Sequence, residues 1–350
     1  MLPLVNLSGD VAQDPFADEM TDEVIAKLGQ ISALRVIGRA TVMPFKRSTN
    51  AVPGIARQLS VDAVVQGTLK RERDKVQMAV QLFQGPTYRL LWSTNSESDL
   101  RDVFVLQNEV ALAIASKMNV RVKPEEQARL ASAPRINPEA LDLYYRAKAL
   151  GDGDANNQEA IRLYQSAVGI SKDFAPAWGA LGEAYIERVF QYEPELSKRW
   201  AGDARDAVLE ALRLNPNLAE AYVLHGRLLW SPAKNFQHEA ALELFHHALQ
   251  LNSSSASALI WFGIVLAHTG FVDEAQPTEI DLMAVDPGAA TRIEAYHLLF
   301  RMEYEKSLLF WPKIKPDLRS SALGSHWAWA LFAAGRTNER GHCQTAKILG

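Results

Sequence analysis

The chain repeats itself from residue 175 onward, and that repetition restricts the folds open to it. Residues 175–185 read APAWGALGEAY. A second helical stretch follows with Ala204, Val208 and Ala211, closing at Asn215-Pro216. The cadence returns as AEAYVLHGRLL with Ala241, Phe245 and Ala248, closing at Asn252-Ser253. It returns again as SASALIWFGIVL with Gly270, Ala275 and Leu282, closing at Asp286-Pro287. The closing positions lie 37 and 34 residues apart, from 215 to 252 and from 252 to 286. At such a period each repeat is one helical hairpin, which buries its apolar side only by stacking on its neighbour. Stacked hairpins make an extended surface, so function is sought first in binding.

Charge and cysteine usage narrow the class further. Residues 1–136 hold 17 basic against 15 acidic side chains and the remainder 20 against 26, giving about +2 and −6. Neither half offers the basic stripe that a phosphate backbone requires, so no nucleic-acid partner is expected. The lone Cys343 excludes an internal disulfide framework and fits a reducing compartment. No run approaches 18 apolar residues, and residues 1–6 lack a basic, then apolar, leader. No membrane association is expected, and the cytoplasm is the expected location.

The first third reads as an α+β unit, a mixed sheet with flanking helices. A helix is expected over Phe16–Gln30, with Ala17, Met20, Val24 and Leu28 on one face. A short strand is expected at Leu34–Ile37 and a helix from Val52-Pro53 through Leu59. Asp62–Glu72 and Lys75–Phe83 form a hairpin. The second arm alternates Val76, Met78, Val80 and Leu82 with polar residues, the pattern of a half-buried strand. Tyr88–Thr94 adds a strand, Asp99–Asp102 leads into a helix ending at Asn119, and a short helix covers Pro124–Leu130.

Five ordered blocks in this region are LPLVNLSGD (2–10), FADEMTDEVIAKL (16–28), LRVIGRATVMPFK (34–46), IARQLSVDAVVQGTL (55–69) and DLRDVFVLQNEVALAIA (99–115). Together they resemble the TolB-amino-terminal-like, or FlgO-like, domain over residues 1–130. Family members carry Ile/Val-rich residues ahead of the first block. Here Met1 falls inside that strand, which implies either a stand-alone remnant or a lost upstream segment. The later repeats, with Trp178, Leu181, Gly182 and Tyr185 in the first helix of the hairpin, resemble the tetratricopeptide (TPR) family. Four such units are expected over 139–287 after a linker at 131–138, the first identified by Ala160, Tyr164 and Ala167. Residues 288–350 are read as degenerate hairpins that cap an all-α solenoid, with Pro312 inside a would-be second helix and Glu279 where an aromatic is expected.

The TPR resemblance implies an inner groove lined by the first helix of each hairpin. Mapped by the glycine register, the lining is Gly179, Glu183 and Ile186, then Val223, Arg227 and Trp230, then Ile260, Ile264 and Ala267. A protein partner is expected there. Some TPR proteins hold a peptide carboxylate with a Lys/Asn/Arg cluster, to which only Arg227 contributes here, so that ligand class is not expected.

Catalytic and metal-binding patterns are incomplete. His238-Glu239 opens as HExxH, but Leu242 stands where the second histidine belongs, and adjacent His246-His247 diverge on a helix. Asp152–Asn156 opens like a calcium loop, yet Asn157 and Leu163 replace its glycine and glutamate. Asn6–Asp10 lacks the lysine and spacing of a phosphate loop, and its residues are turn formers. No cofactor, no metal and no catalytic residue are therefore expected. The expected function is a non-enzymatic interaction or regulatory protein of bacterial signalling or transcriptional control. The alternative is the regulatory portion of a class III adenylate/guanylate cyclase, or of a winged-helix regulator, whose effector domain lies outside this chain.

Overall fold

A computed structural model describes residues 1–46, 52–85, 87–313 and 321–336. The chain divides into two compact units, Met1–Ser255 and Ala256–Gly350.

The first unit opens with an α/β body. Its four-stranded sheet runs β1 (Val5–Asn6), β2 (Ala63–Glu72), β3 (Lys75–Gln84) and β4 (Arg89–Asp99) in that spatial order. β1 is parallel to β2, and the other pairs are antiparallel. The β2–β3 turn is two residues long and places Arg73 at φ 52°. The alternating residues Val76, Met78, Val80 and Leu82 are all fully buried, as a half-solvated strand requires. Beyond the two residues of β1, the amides of Leu2 and Leu7 also donate to β2, at 2.8 Å to Val65 and 2.7 Å to Leu69. Leu4 turns its amide instead to Thr21 Oγ1, 2.9 Å away.

Helices α1 (Asp14–Gly29), α2 (Arg39–Val42), α3 (Val52–Gln58), α4 (Val103–Lys117) and α5 (Pro124–Ala131) surround the sheet. Phe16, Met20, Val24 and Leu28 recur every four residues and form the buried face of α1. Leu106, Val110 and Ile114 do the same on α4, against which α1 packs. The strand expected at Leu34–Ile37 is absent. Residues 34–38 are irregular and join none of the four strands; the amide of Val36 goes to Ser254 Oγ instead.

Three helix pairs complete this unit: α6 (Pro138–Lys148) with α7 (Asp154–Ile170), α8 (Ala175–Glu187) with α9 (Ser197–Leu214), and α10 (Ala219–Leu229) with α11 (His238–Leu251). They are antiparallel. Tyr185, late in α8, stacks on Trp200, early in α9, at 5.8 Å, while Gly182 lies against Ala204 and Val208 further along. In the third pair Trp230 Nε1 donates to His238 Nδ1 at 3.0 Å, and the Tyr222 ring meets His247 at 4.4 Å.

The second unit holds α12 (Ala256–His268) with α13 (Gln276–Val285), then α14 (Pro287–Phe300), the five-residue α15 (Tyr304–Leu308) and α16 (Ser321–Ala333). Pro312 sits in a 3₁₀ turn, Trp311–Lys313, so the second helix of this last pair ends early. Trp311 fills the core there with Leu299, Leu308 and Leu331.

All four successive pairs close in the same backbone turn. Ser171, Asn215, Asn252 and Asp286 have φ/ψ of −121/90, −137/93, −144/93 and −144/85°. At the last three the side-chain oxygen then accepts an amide two or three residues on, at 3.0–3.1 Å: Asn215 and Asn252 brace an Asx turn, and Asp286 caps α14. No helix among the described residues is long and apolar enough to cross a membrane.

Candidate functional site

The glycines fix which side of each first helix meets its partner. A Cβ on Gly182 would stand 2.6 Å from Val208 Cγ2, and one on Gly226 would stand 2.5 Å from Phe245 Cε1. Residues three or four positions away share the glycine's face. That geometry corrects part of the predicted groove. Ile186 (Gly182 plus four), Trp230 (Gly226 plus four) and Val223 (Gly226 minus three) are buried against the pair. They pack the array and present no surface. Ala267 is buried in the same relation to Gly263, while Ile260 and Ile264 are half-buried in the second unit.

The residues that follow the glycines point elsewhere. Glu183 follows Gly182 and its side chain is 57% exposed, whereas Arg227 follows Gly226 and is 10% exposed. They meet across neighbouring helices at 3.5 Å, and Arg227 is held more closely by Glu187 at 2.7 Å. Arg227 is thus engaged by two carboxylates of its own chain. Ile264 occupies the equivalent position in α12.

Sequence reasoning missed what lies on the same side of the first unit. The flank of α1 beside its apolar row carries Glu19, Asp22 and Glu23, and these meet the first hairpin. Lys148 of α6 lies 2.7 Å from Glu19 and 3.9 Å from both Asp22 and Glu23. Arg39 reaches Glu19 at 3.4 Å, and the Tyr144 hydroxyl donates to Glu23 at 3.4 Å. Three carboxylates around one ammonium leave an acidic surplus. Burial pushes the Asp22 carboxyl up to about 6; Lys148 opposes that, while Glu23 and Glu19 add to it. For Lys148, burial pulls the ammonium down, but Tyr144 and the three carboxylates outweigh it and hold the group well above the ordinary lysine value.

Beside this charged cluster the contact is aromatic and apolar. Phe16 meets Tyr145 edge-on at 5.1 Å, Phe104 meets Phe174 at 5.8 Å, and Tyr144 meets Phe174 at 4.9 Å. Arg71 of β2 forks onto Asp142 of α6 at 2.5 and 3.0 Å. One continuous core runs from Leu4 of the α/β body to Leu228 of α10.

The remaining motifs are absorbed by packing. Asp154, in the calcium-like segment, pairs with Arg188, and Gly153 donates its amide to the Tyr192 hydroxyl at 3.1 Å. Arg188 is almost fully buried, paired also with Glu193 at 2.6 Å and lying 5.4 Å from the Trp200 ring centroid. It pins the long α8–α9 connection, which begins as a π-helical turn at Arg188–Tyr192. Asn6–Asp10 is a side-chain-braced turn in which Asn6 Oδ1 accepts from the Ser8 amide at 2.9 Å. His238 accepts from Trp230, and His247 packs on Tyr222. No three His, Cys, Asp or Glu side chains group to hold a metal among the described residues. Cys343 lies outside the described residues.

No protein-family model matches the chain. A curated protein of Rhizobium meliloti (strain 1021), Putative adenylate cyclase 3, is 29% identical over 216 residues, covering 61% of this chain and 36% of that protein. The chain thus spans just over a third of the length of the curated relative it matches. Among solved structures, YrrB, described as a TPR protein with an unusual peptide-binding site, is 21% identical over 56% of this chain and 92% of its own, with a TM-score of 0.34. TTC0263, a thermophilic TPR protein of Thermus thermophilus, is 18% identical over 60% and 91%, with a TM-score of 0.36. MamA is 17% identical over 53% and 92%, with a TM-score of 0.34.

Proposed function

We propose that this chain is a regulatory interaction module: a TPR-like hairpin array that docks a protein partner, joined to a TolB-amino-terminal-like body that modulates the docking. The observation that carries this reading is the common closing turn at Ser171, Asn215, Asn252 and Asp286. It repeats one register and so sets the residues after the glycines, such as Glu183 and Arg227, side by side on the first helices. Repeated registers of this kind are used to present a long surface rather than a single reacting atom. A photo-crosslinker placed beside the exposed Glu183 is expected to capture one recurrent protein partner. Glu183→Gln, which leaves Arg227 paired with Glu187, is expected to weaken that crosslink with little change in melting temperature. An undiminished crosslink would remove the first-helix side from consideration.

A second reading is favoured by the named relative: the chain is the regulatory portion of a longer nucleotide cyclase. On this reading the purified chain makes no cyclic nucleotide from ATP or GTP. Added in trans to the remainder of such a relative, it changes the rate of cyclic-nucleotide formation. Turnover by the chain alone would overturn both readings.

A further inference from the structure

The α/β body touches the hairpin array at two ends of unequal strength. At the first hairpin it is anchored by Phe16–Tyr145, Phe104–Phe174, the Arg71–Asp142 fork and a backbone bond from Ile136 to Arg101 at 3.1 Å. Aromatic burial and a bidentate charged pair make such an end stable. At the third hairpin the contact is of another kind. Gly29, the last residue of α1, lies so close to the array that a Cβ there would stand 2.5 Å from Asn252 Oδ1. Seven residues on, the amide of Val36 donates to Ser254 Oγ at 3.3 Å, the long end of the useful range.

The segment making this second contact is firm toward its own body. Ile31 is fully buried with Ala115 and Leu130, and the Ser32 amide donates to Glu126 Oε1 at 3.1 Å. Residues 29–36 therefore behave as an arm fixed to the α/β body. If the arm leaves Asn252 and Ser254, the body must rock about the first hairpin. The end that rocks is the one held by a neutral hydrogen bond and a glycine contact, and the end that pivots is the one held by buried rings.

We propose that the chain is closed upon itself by this arm, a latch formed where Gly29 and Val36 meet Asn252 and Ser254, and that opening the latch swings the α/β body about the first hairpin. The idea rests on the interaction reading given above and adds a motion to it: Glu183 is exposed with the latch closed, and opening changes how the α/β body stands beside that surface. Asn252 suits the role because its side chain is already committed, accepting the Ser254 amide at 3.1 Å. It cannot swing away from an added group at Gly29 without losing that bond. Gly29 is not in the left-handed region, so a side chain there meets Asn252 and not a backbone penalty.

The test needs no partner, so its failure leaves the interaction reading standing. Ala33 and Ser253 are both exposed, one on the arm and one beside the latch. With Cys343→Ser removing the single native thiol, Ala33→Cys and Ser253→Cys accept spin labels whose separation is measured by pulsed electron spin resonance. The parent is expected to show one dominant short separation. Gly29→Leu is expected to transfer most of the population to a longer one while circular dichroism stays unchanged. Should Gly29→Leu unfold, Ser254→Ala serves instead. It removes one neutral acceptor and is expected to raise the long population by about fivefold, the shift that losing one such bond produces. A single short separation in the parent and in the folded variant would overturn the latch.

Discussion

The second and third hairpins differ from the fourth in what their glycines face. Gly182 and Gly226 admit Val208 and Phe245, apolar groups buried completely. Gly263 of α12 occupies the same place and admits polar atoms. Thr278 Oγ1 would stand 2.8 Å from its Cβ and the His297 ring 3.3 Å. His297 is buried, linked to Glu279 of α13 and 3.1 Å from the carbonyl of Gly263. The repeat thus preserves a close approach while exchanging the chemistry behind it. Shape is held by the missing Cβ, and the filling is negotiated locally.

The largest effect is expected at Phe245. Phe245→Ala empties the space behind Gly226 and is expected to cost about 3–5 kcal/mol in urea unfolding of the chain. A smaller loss would mean the third hairpin tolerates a void. Gly226→Ala comes next. Alanine alone would favour a helix by about 1 kcal/mol, so a net loss of about 1–3 kcal/mol by the same measurement isolates the clash with the ring. Phe245→Leu should relieve part of that loss, and a cycle showing no coupling would refute the contact.

The polar version is expected to yield more easily. Gly263→Ala should cost about 1 kcal/mol, the size of one net hydrogen bond disturbed, and Thr278→Ala should recover some of it. If Gly263→Ala proves as damaging as Gly226→Ala, the distinction between the two fillings fails.

The smallest effect concerns acidity at the α1–α6 contact. Asp22 has an ordinary value of 3.8 and is raised to about 6 in the fold. A raised carboxyl binds its proton more tightly when folded, so the fold gains as pH falls through about 6 and loses as pH rises through it. Melting temperature is therefore expected to rise modestly between pH 7.5 and pH 5.5. Asp22→Asn should flatten that slope and melt higher than the parent at pH 7.5. An unchanged slope would remove Asp22 as the titrating group.

The sequence read well where one local pattern decided the outcome. The four-residue rows of α1 and α4, the alternation in β3 and the small residues at hairpin crossings each demand a single environment. It read poorly where the environment came from far away. Leu34–Ile37 has strand-forming residues but joins no strand of the sheet, and Val36 finds Ser254 instead, 218 positions on. Glu19 is nearly as buried as the core because Lys148 and Arg39 converge on it, and nothing in Asp18–Glu19 announces such partners. For Ile186, Val223 and Trp230 the signal was present: they lie three or four positions from glycines already assigned to the crossing. The spacing that named the contact also consigned them to it.

The shared closing turn has a consequence for how such a chain varies. From Ser171 to Asn215 is 44 residues, from Asn215 to Asn252 is 37, and from Asn252 to Asp286 is 34, yet each closure bends alike. Residues can therefore be added inside a hairpin, as in the long connection from Arg188 to Leu196, while the turn that ends the pair keeps its form.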